Sequence, residues 1–148
     1  MNIDCLQQKF GSLINDIDVF RDETTVVIDR ENILHFCRIL KDDVQYAFNI
    51  LSDCCGVDLF PRTPRFCVVY HLYSLLHGHR LRVKVFLAED QAAIESVTPI
   101  WETANWHERE CFDLLGIQFV HHPDLRRILL PENFAGHPLR KDFPLEGR

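Results

Sequence analysis

Hydrophobic positions change period several times along the chain, and each change predicts an element. Ile3, Leu6, Phe10, Leu13 and Ile14 recur at helical spacing, which predicts a helix over 3–15. Asp18 to Asp22 and Thr24 to Asp29 read as two strands around Arg21-Asp-Glu23, the pattern of a hairpin. Asp29 is placed to cap a helix through Lys41 whose apolar face is Ile33, Leu34, Cys37 and Leu40. Three strands follow over 48–60, 66–76 and 81–88. The last alternates, with Leu81, Val83, Val85 and Leu87 on one face and Arg82 and Lys84 on the other. His77-Gly-His-Arg80 is the turn before it. Its two histidines suggest a metal pair, but no third ligand stands nearby in the chain, so the turn reading is preferred. The order of helix, two strands, helix, three strands, helix and extended C-terminal tail predicts an α+β two-layer sandwich. Its mixed sheet has about five strands, with helices on one face.

Composition narrows the class. A chain of 148 residues with 47% hydrophobic content fits one domain with its own core and excludes disorder. We expect an α+β body over 1–120 and an extended interaction tail over 121–148. The longest apolar runs, Cys67 to Tyr70 and Val85 to Ala88, are too short to span a bilayer. Asn2-Ile-Asp4 opens the chain with an acid and shows no basic, apolar leader, so neither secretion nor organelle import is expected. The six cysteines, at 5, 37, 54, 55, 67 and 111, form no C-x-x-C spacing. Most lie in apolar stretches and behave as small hydrophobes, which implies a reducing compartment and no metal. Charge is uneven: residues 1–60 hold five Lys/Arg against eleven Asp/Glu, whereas 61–148 hold eleven of each. The acidic half disfavours nucleic acid. The balanced half suits either a polar protein interface or a solvated mixed-charge surface.

The last third holds the candidate chemistry. Thr98 can cap a helix, Pro99 suits its first turn and Gly116 can end it. Projected at about 100° per residue, Trp101, Ala104, Cys111, Phe112 and Leu115 share an arc with Glu108 in its middle. Arg109 and Asp113 fall together on the other side, beside Glu102. A carboxylate inside an apolar face needs a donor or a cation, because an unpaired buried charge costs several kcal/mol. Arg126, Arg127 and Arg140 are the cations available, and Arg126 or Arg127 is the expected partner. If the segment instead breaks at Asn105, Glu108 becomes a capping-box residue. A general acid/base role for Glu108 or Glu110 lacks an accompanying nucleophile, phosphate loop or metal triad. His121, His122 and His137 could hold zinc, but none stands at i,i+4 and two precede proline, which favours extended backbone running over a surface.

These residues resemble a known family. Glu108-Arg-Glu-Cys-Phe-Asp-Leu-Leu-Gly-Ile-Gln-Phe-Val-His-His-Pro-Asp-Leu-Arg-Arg-Ile-Leu129 is similar to the signature of the hydrophilic 30 kDa subunit of proton-pumping NADH:quinone oxidoreductase, respiratory complex I. Val68 to Leu75 with Arg80 to Val85 resembles the family's central hairpin, and Val97 to Trp106 the lead-in to its helix. Gly136-His-Pro-Leu-Arg-Lys-Asp-Phe-Pro144 resembles its closing motif. The resemblance thus covers roughly residues 47–144. It marks Glu108, Arg109, Glu110, Asp113, Gly116, His122, Pro123, Arg126, Arg127, Gly136, His137, Pro138, Arg140, Lys141 and Asp142 as signature or subunit-interface residues. No catalytic, cofactor-binding or metal residue is expected in this chain. FMN, iron–sulfur clusters and quinone are expected in partner subunits.

The resemblance implies a non-catalytic subunit of the peripheral arm, at the cytoplasmic face of a bacterial plasma membrane. Its partners would be the large quinone-site subunit and the small subunit that bears the terminal iron–sulfur cluster. Members of the family commonly run further past Asp-Phe-Pro than the four residues after Pro144, which bears on how much partner surface the tail covers. The same fold serves F420H2 dehydrogenases, ferredoxin-plastoquinone reductases and membrane-bound hydrogenases, so the electron donor is left open. Two other readings remain at this point: a stand-alone cytosolic enzyme using Glu108/Glu110 and a histidine, and a binding module without an electron-transfer role.

Overall fold

The computed structural model describes residues 3–144, so positions 145–148 of the expected tail lie outside the described residues. Five strands form one sheet in the order β1-β2-β5-β4-β3: β1 (Ile14–Phe20), β2 (Glu23–Ile28), β3 (Ile50–Asp58), β4 (Phe66–Ser74) and β5 (His79–Leu87). All neighbours are antiparallel except β2 and β5, which makes the sheet mixed, as the pattern predicts. Helices α1 (Ile3–Phe10), α2 (Ile33–Asp42) and α3 (Ala104–Leu115) supply the second layer.

The register shows why one face is the core. Leu81, Val83, Val85 and Leu87 stand opposite Leu72, Tyr70, Val68 and Phe66, and all eight are buried. Their core cluster includes Leu6 and Phe10 of α1 and Ile33, Phe36, Cys37 and Leu40 of α2. Burying each such side chain contributes roughly 1.5–3 kcal/mol. The alternate positions of the same strands, Arg82, Lys84 and Phe86, point to the opposite face.

Several boundaries differ from the sequence reading, each for a physical reason. The first helix stops at Phe10, and Ile14 already pairs with Ile28 at the start of β1. Its helical stripe overlaps a β-branched alternation, and the ladder wins. The β1–β2 turn is Arg21-Asp22, both at positive φ (50° and 63°), the backbone of a tight two-residue hairpin turn. Asp29 makes no capping bond; its carboxylate accepts from Asn15 Nδ2 at 2.7 Å, and a 3-10 turn over Arg30–Asn32 precedes α2. On α2 it is Phe36, not Leu34, that joins Ile33, Cys37 and Leu40 in the core.

The largest revision concerns α3. It begins at Ala104, not near Thr98, because residues 97–101 form tight turns in which Ile100 N and Trp101 N both donate to Val97 O. Trp101 is nonetheless buried and donates from Nε1 to Phe48 O at 3.1 Å. Gly116 ends the helix in the left-handed region, as expected (φ 76°). A second, two-stranded parallel sheet of β6 (Ala93–Glu95) and β7 (Gln118–Val120) flanks α3 and was not predicted, since three-residue strands leave almost no periodic signal. α3 packs on edge strand β3 at Gly56, where an added Cβ would stand 2.4 Å from Leu115 Cδ1.

Candidate functional site

Residues 121–144 contain no helix or strand and lie against α3 and the end of β3, held there by buried charges. Asp113 is the principal anchor. Its carboxylate is fully buried, and Oδ2 accepts the consecutive backbone N–H groups of Ile128, Leu129 and Leu130 at 3.0, 2.7 and 2.9 Å. Oδ1 takes Arg127 Nη1 at 2.7 Å. Burial alone would raise this acid's pKa. The Leu130 N–H, the Arg127 guanidinium and the N–H groups of Leu129 and Ile128 outweigh it and bring the value down to about 2. Arg127 then donates from Nη2 to the carbonyls of Phe134 and Gly136, so one guanidinium joins α3 to two points of the tail.

A second tie closes the far end. Arg65, almost fully buried, makes two bonds to Asp58 (3.0 and 2.9 Å) and two to Asp142 (3.1 and 2.6 Å), and also reaches Glu89 at 2.5 Å. Lys141 N donates to Asp58 Oδ2 at 2.9 Å. The Asp58 carboxyl falls to about 2: burial pushes it up, but the Arg65 side chain and the N–H groups of Lys141 and Phe60 pull it further down. Between the two ties, Arg140 Nε donates to Leu115 O at 2.7 Å and its guanidinium lies over the Phe66 ring. His137 bonds Asp113 O through Nδ1 at 2.9 Å. Gly116 is required where these meet, since a Cβ there would stand 2.7 Å from both Arg140 Nη2 and His137 Cδ2.

Glu108 is fully buried, as expected, but its expected pairing with Arg126 or Arg127 is not what the structure contains. Its Oε1 accepts from Val97 N at 2.8 Å and its Oε2 from Ser96 Oγ at 2.6 Å, which also excludes the capping-box role. Arg126 is largely exposed and pairs with Asp124, while Arg127 is committed to Asp113. The nearest ionisable side chain is buried His122, its Nε2 3.9 Å from Oε2. Its pKa is lowered, chiefly by burial, so it supplies no positive charge at neutral pH. Glu108 therefore rises to about 7, driven by burial and only partly offset by its two donors.

The projection also placed Arg109 and Asp113 on an open face, whereas both are buried. The tail covers them. Arg109 Nε and Nη2 donate to the carbonyls of Arg126 and Arg127 at 3.1 and 3.2 Å, and its guanidinium lies over Trp106. Ser96, Asp58 and Arg65 escaped the sequence reading because each acts through a partner distant in the chain or set by the fold. The Ser96-Val97 step, lying just ahead of the noted turn residues, left no periodic signal.

Most signature residues thus bind the chain to itself. Those that remain outward are Glu110, Pro123, Arg126, Gly136, Lys141 and Asp142, the last with one side on Arg65; Pro138 is half-buried. Arg109, Pro123, Asp124 and Arg126 line one groove with Trp106, whose ring is 61% exposed. Among the described residues, no helix is long and apolar enough to cross a membrane.

Comparison with known proteins agrees with this geometry. Residues 26–148 match the family described as the respiratory-chain NADH dehydrogenase 30 Kd subunit. The chain is 46% identical to the NADH-quinone oxidoreductase C-type subunit of Geotalea uraniireducens over 142 residues, which cover 96% of this chain and 85% of that one. It is 50% identical to a second-copy C-type subunit of the same enzyme in Rhizobium etli, again over 96% of this chain and 75% of the relative. Among solved structures, the trypsin-resistant fragment of Nqo5 superposes with a TM-score of 0.73 at 33% identity, covering 84% of this chain and all of the fragment. A polypeptide of an archaeal respiratory membrane complex, the membrane-bound sulfane sulfur reductase, shares the fold with a TM-score of 0.80 at 24% identity, covering 97% of this chain and 84% of that one. The chain belongs to the 30 kDa subunit family of respiratory-chain NADH dehydrogenase, the NADH-quinone oxidoreductase of these bacteria.

Proposed function

We propose that this chain is a non-catalytic, peripheral-arm subunit of a proton-translocating NADH:quinone oxidoreductase. It docks the large quinone-site subunit and the small terminal-cluster subunit and so supports electron transfer from NADH to quinone, at the cytoplasmic face of a bacterial plasma membrane. FMN, iron–sulfur clusters and quinone belong, in this reading, to the partners. The observation that carries it is the disposition of the signature residues. Two buried ion networks strap the tail to α3 and β3, leaving a groove in which exposed Trp106 stands beside Pro123 and Arg126. Trp and Arg dominate the energetics of protein interfaces when they are desolvated by a partner. Obligate interfaces bury above about 2,000 Å².

Co-purification from membranes tests the proposal. A tagged wild-type chain should bring down the quinone-site and terminal-cluster subunits. Trp106→Ala combined with Arg126→Glu should reduce their recovery at least tenfold while leaving the circular dichroism of the purified chain unchanged. Recovery of the chain alone, or undiminished recovery of both partners with the double variant, would refute the docking role assigned to this groove.

A further inference from the structure

The edge of the sheet carries a second cluster of chemistry that the docking role does not use. Asp53 on β3 stands directly opposite His71 on β4 in the ladder, and Cys55 lies two residues on, on the same face. One ligand atom from each (a carboxylate oxygen, the thiol sulfur and an imidazole nitrogen) lies within 4.8 Å of the other two. The register shift between Leu51 and Asp53 is a bulge, a device that re-aims the side chains beside it. From α3, His107 brings its Nδ1 to 3.4 Å from Asp53 Oδ1.

We propose that Asp53, Cys55 and His71 form a site for a zinc-class divalent cation, with His107 positioning the Asp53 carboxylate. The donor set suits this class: thiolate and imidazole are the ligands zinc favours, and a carboxylate completes the protein's three. The dimensions suit it too. With Zn–N and Zn–O near 2.0–2.1 Å and Zn–S near 2.3 Å, the edges of a tetrahedral site are about 3.3–3.7 Å. Side-chain rotation of roughly 1 Å closes the present triangle onto such an ion. The fourth position opens on the cleft lined by Ser52, Arg80 and Arg82, where water or a partner's side chain can enter. Arg82, the nearest fixed positive charge, is neutralised by its bond to Glu23. Burial and the Arg82 field hold His71 in its neutral form, leaving a ring nitrogen lone pair available. Binding displaces the Cys55 thiol proton to solvent. A ligating carboxylate held by an outer imidazole is the arrangement that fixes metal ligands, and its loss weakens binding about 10–100-fold.

No spacing rule finds such a site, because its ligands come from two strands and its support from a helix. The test is cobalt and zinc titration of the metal-stripped, full-length chain. We expect one Co²⁺ per chain with a thiolate-to-metal charge-transfer band, and a rise in the thermal midpoint on adding Zn²⁺. Cys55→Ser should abolish the band, and His71→Ala and Asp53→Asn should abolish the midpoint rise. His107→Ala should weaken binding about 10–100-fold. Cys5→Ser and His121→Ala should leave binding unchanged. Absence of a band in the wild-type chain at millimolar metal, or a band that survives in Cys55→Ser, would overturn the proposal.

Discussion

Substituting Glu108 by Gln separates two accounts of the same buried carboxylate. Had Glu108 been paired with an arginine, Glu108→Gln would strand a charge and cost about 3–5 kcal/mol at neutral pH. The structure gives it two neutral donors instead, Ser96 Oγ and Val97 N, and a neutral His122. Its pKa of about 7 compares with 4.5 for the free side chain. The folded state therefore holds a proton that the unfolded chain has already lost. The associated stability is complete below pH 4.5 and is lost as pH rises through 7. At 1.36 kcal/mol per unit, a shift from 4.5 to 7 corresponds to about 3 kcal/mol once both states are ionised. Gln mimics the protonated acid: its carbonyl can accept from Val97 N and its amide can donate to Ser96 Oγ. The variant's stability relative to wild type should therefore climb with pH, from a gain below about 1 kcal/mol at pH 5 to about 3 kcal/mol at pH 8.5. Urea unfolding of both full-length proteins at half-unit pH intervals measures it. A difference that stays flat across that range, or a variant several kcal/mol weaker at pH 8, would refute the assignment.

Two further outcomes follow from the tail and the sheet edge. Asp113→Asn removes the charge on which three amides and Arg127 converge, so it should cost about 3–5 kcal/mol. Hydrogen exchange at Ile128–Leu130 should accelerate more than exchange in β4. In the wild-type chain, Asp113 and Asp58, both at about 2, give stability that is present above their unfolded value of 3.8 and lost as pH falls towards 2. Tail amides should then exchange before sheet amides on acidification. Gly56→Ala forces a methyl group to 2.4 Å from Leu115 Cδ1 and should destabilise by about 1–3 kcal/mol in thermal unfolding, through overpacking between β3 and α3.

The sheet was legible in the sequence because its period is strong. Leu81 to Leu87 alternates without interruption, and the strands and helices that were expected occur in the expected order. What was not legible depends on distance in the chain. The projection found that Glu108 is buried, since burial follows the helical period, but chose the wrong partner. Nothing in residues 101–127 shows that the chain folds back at Ser96-Val97 to offer two donors. The same reasoning misjudged Arg109 and Asp113. A helix face looks open in projection when the chain that covers it is irregular, and residues 121–144 have no period to detect. The strands β6 and β7 were missed because each is three residues long, and the Asp53–His71 pair because it exists only once β3 and β4 are in register.

The buried arginine ties have a consequence for the energetics of assembly. An irregular segment left free until it met a partner would lose backbone freedom on binding, at about 1–2 kcal/mol per residue. Here Asp113, Arg127 and Arg65 fix the path of the tail within the subunit itself, so that loss is incurred during folding, where the core offsets it. A partner then meets a surface whose shape already exists. Its contact energy appears as affinity instead of being consumed in ordering a loop.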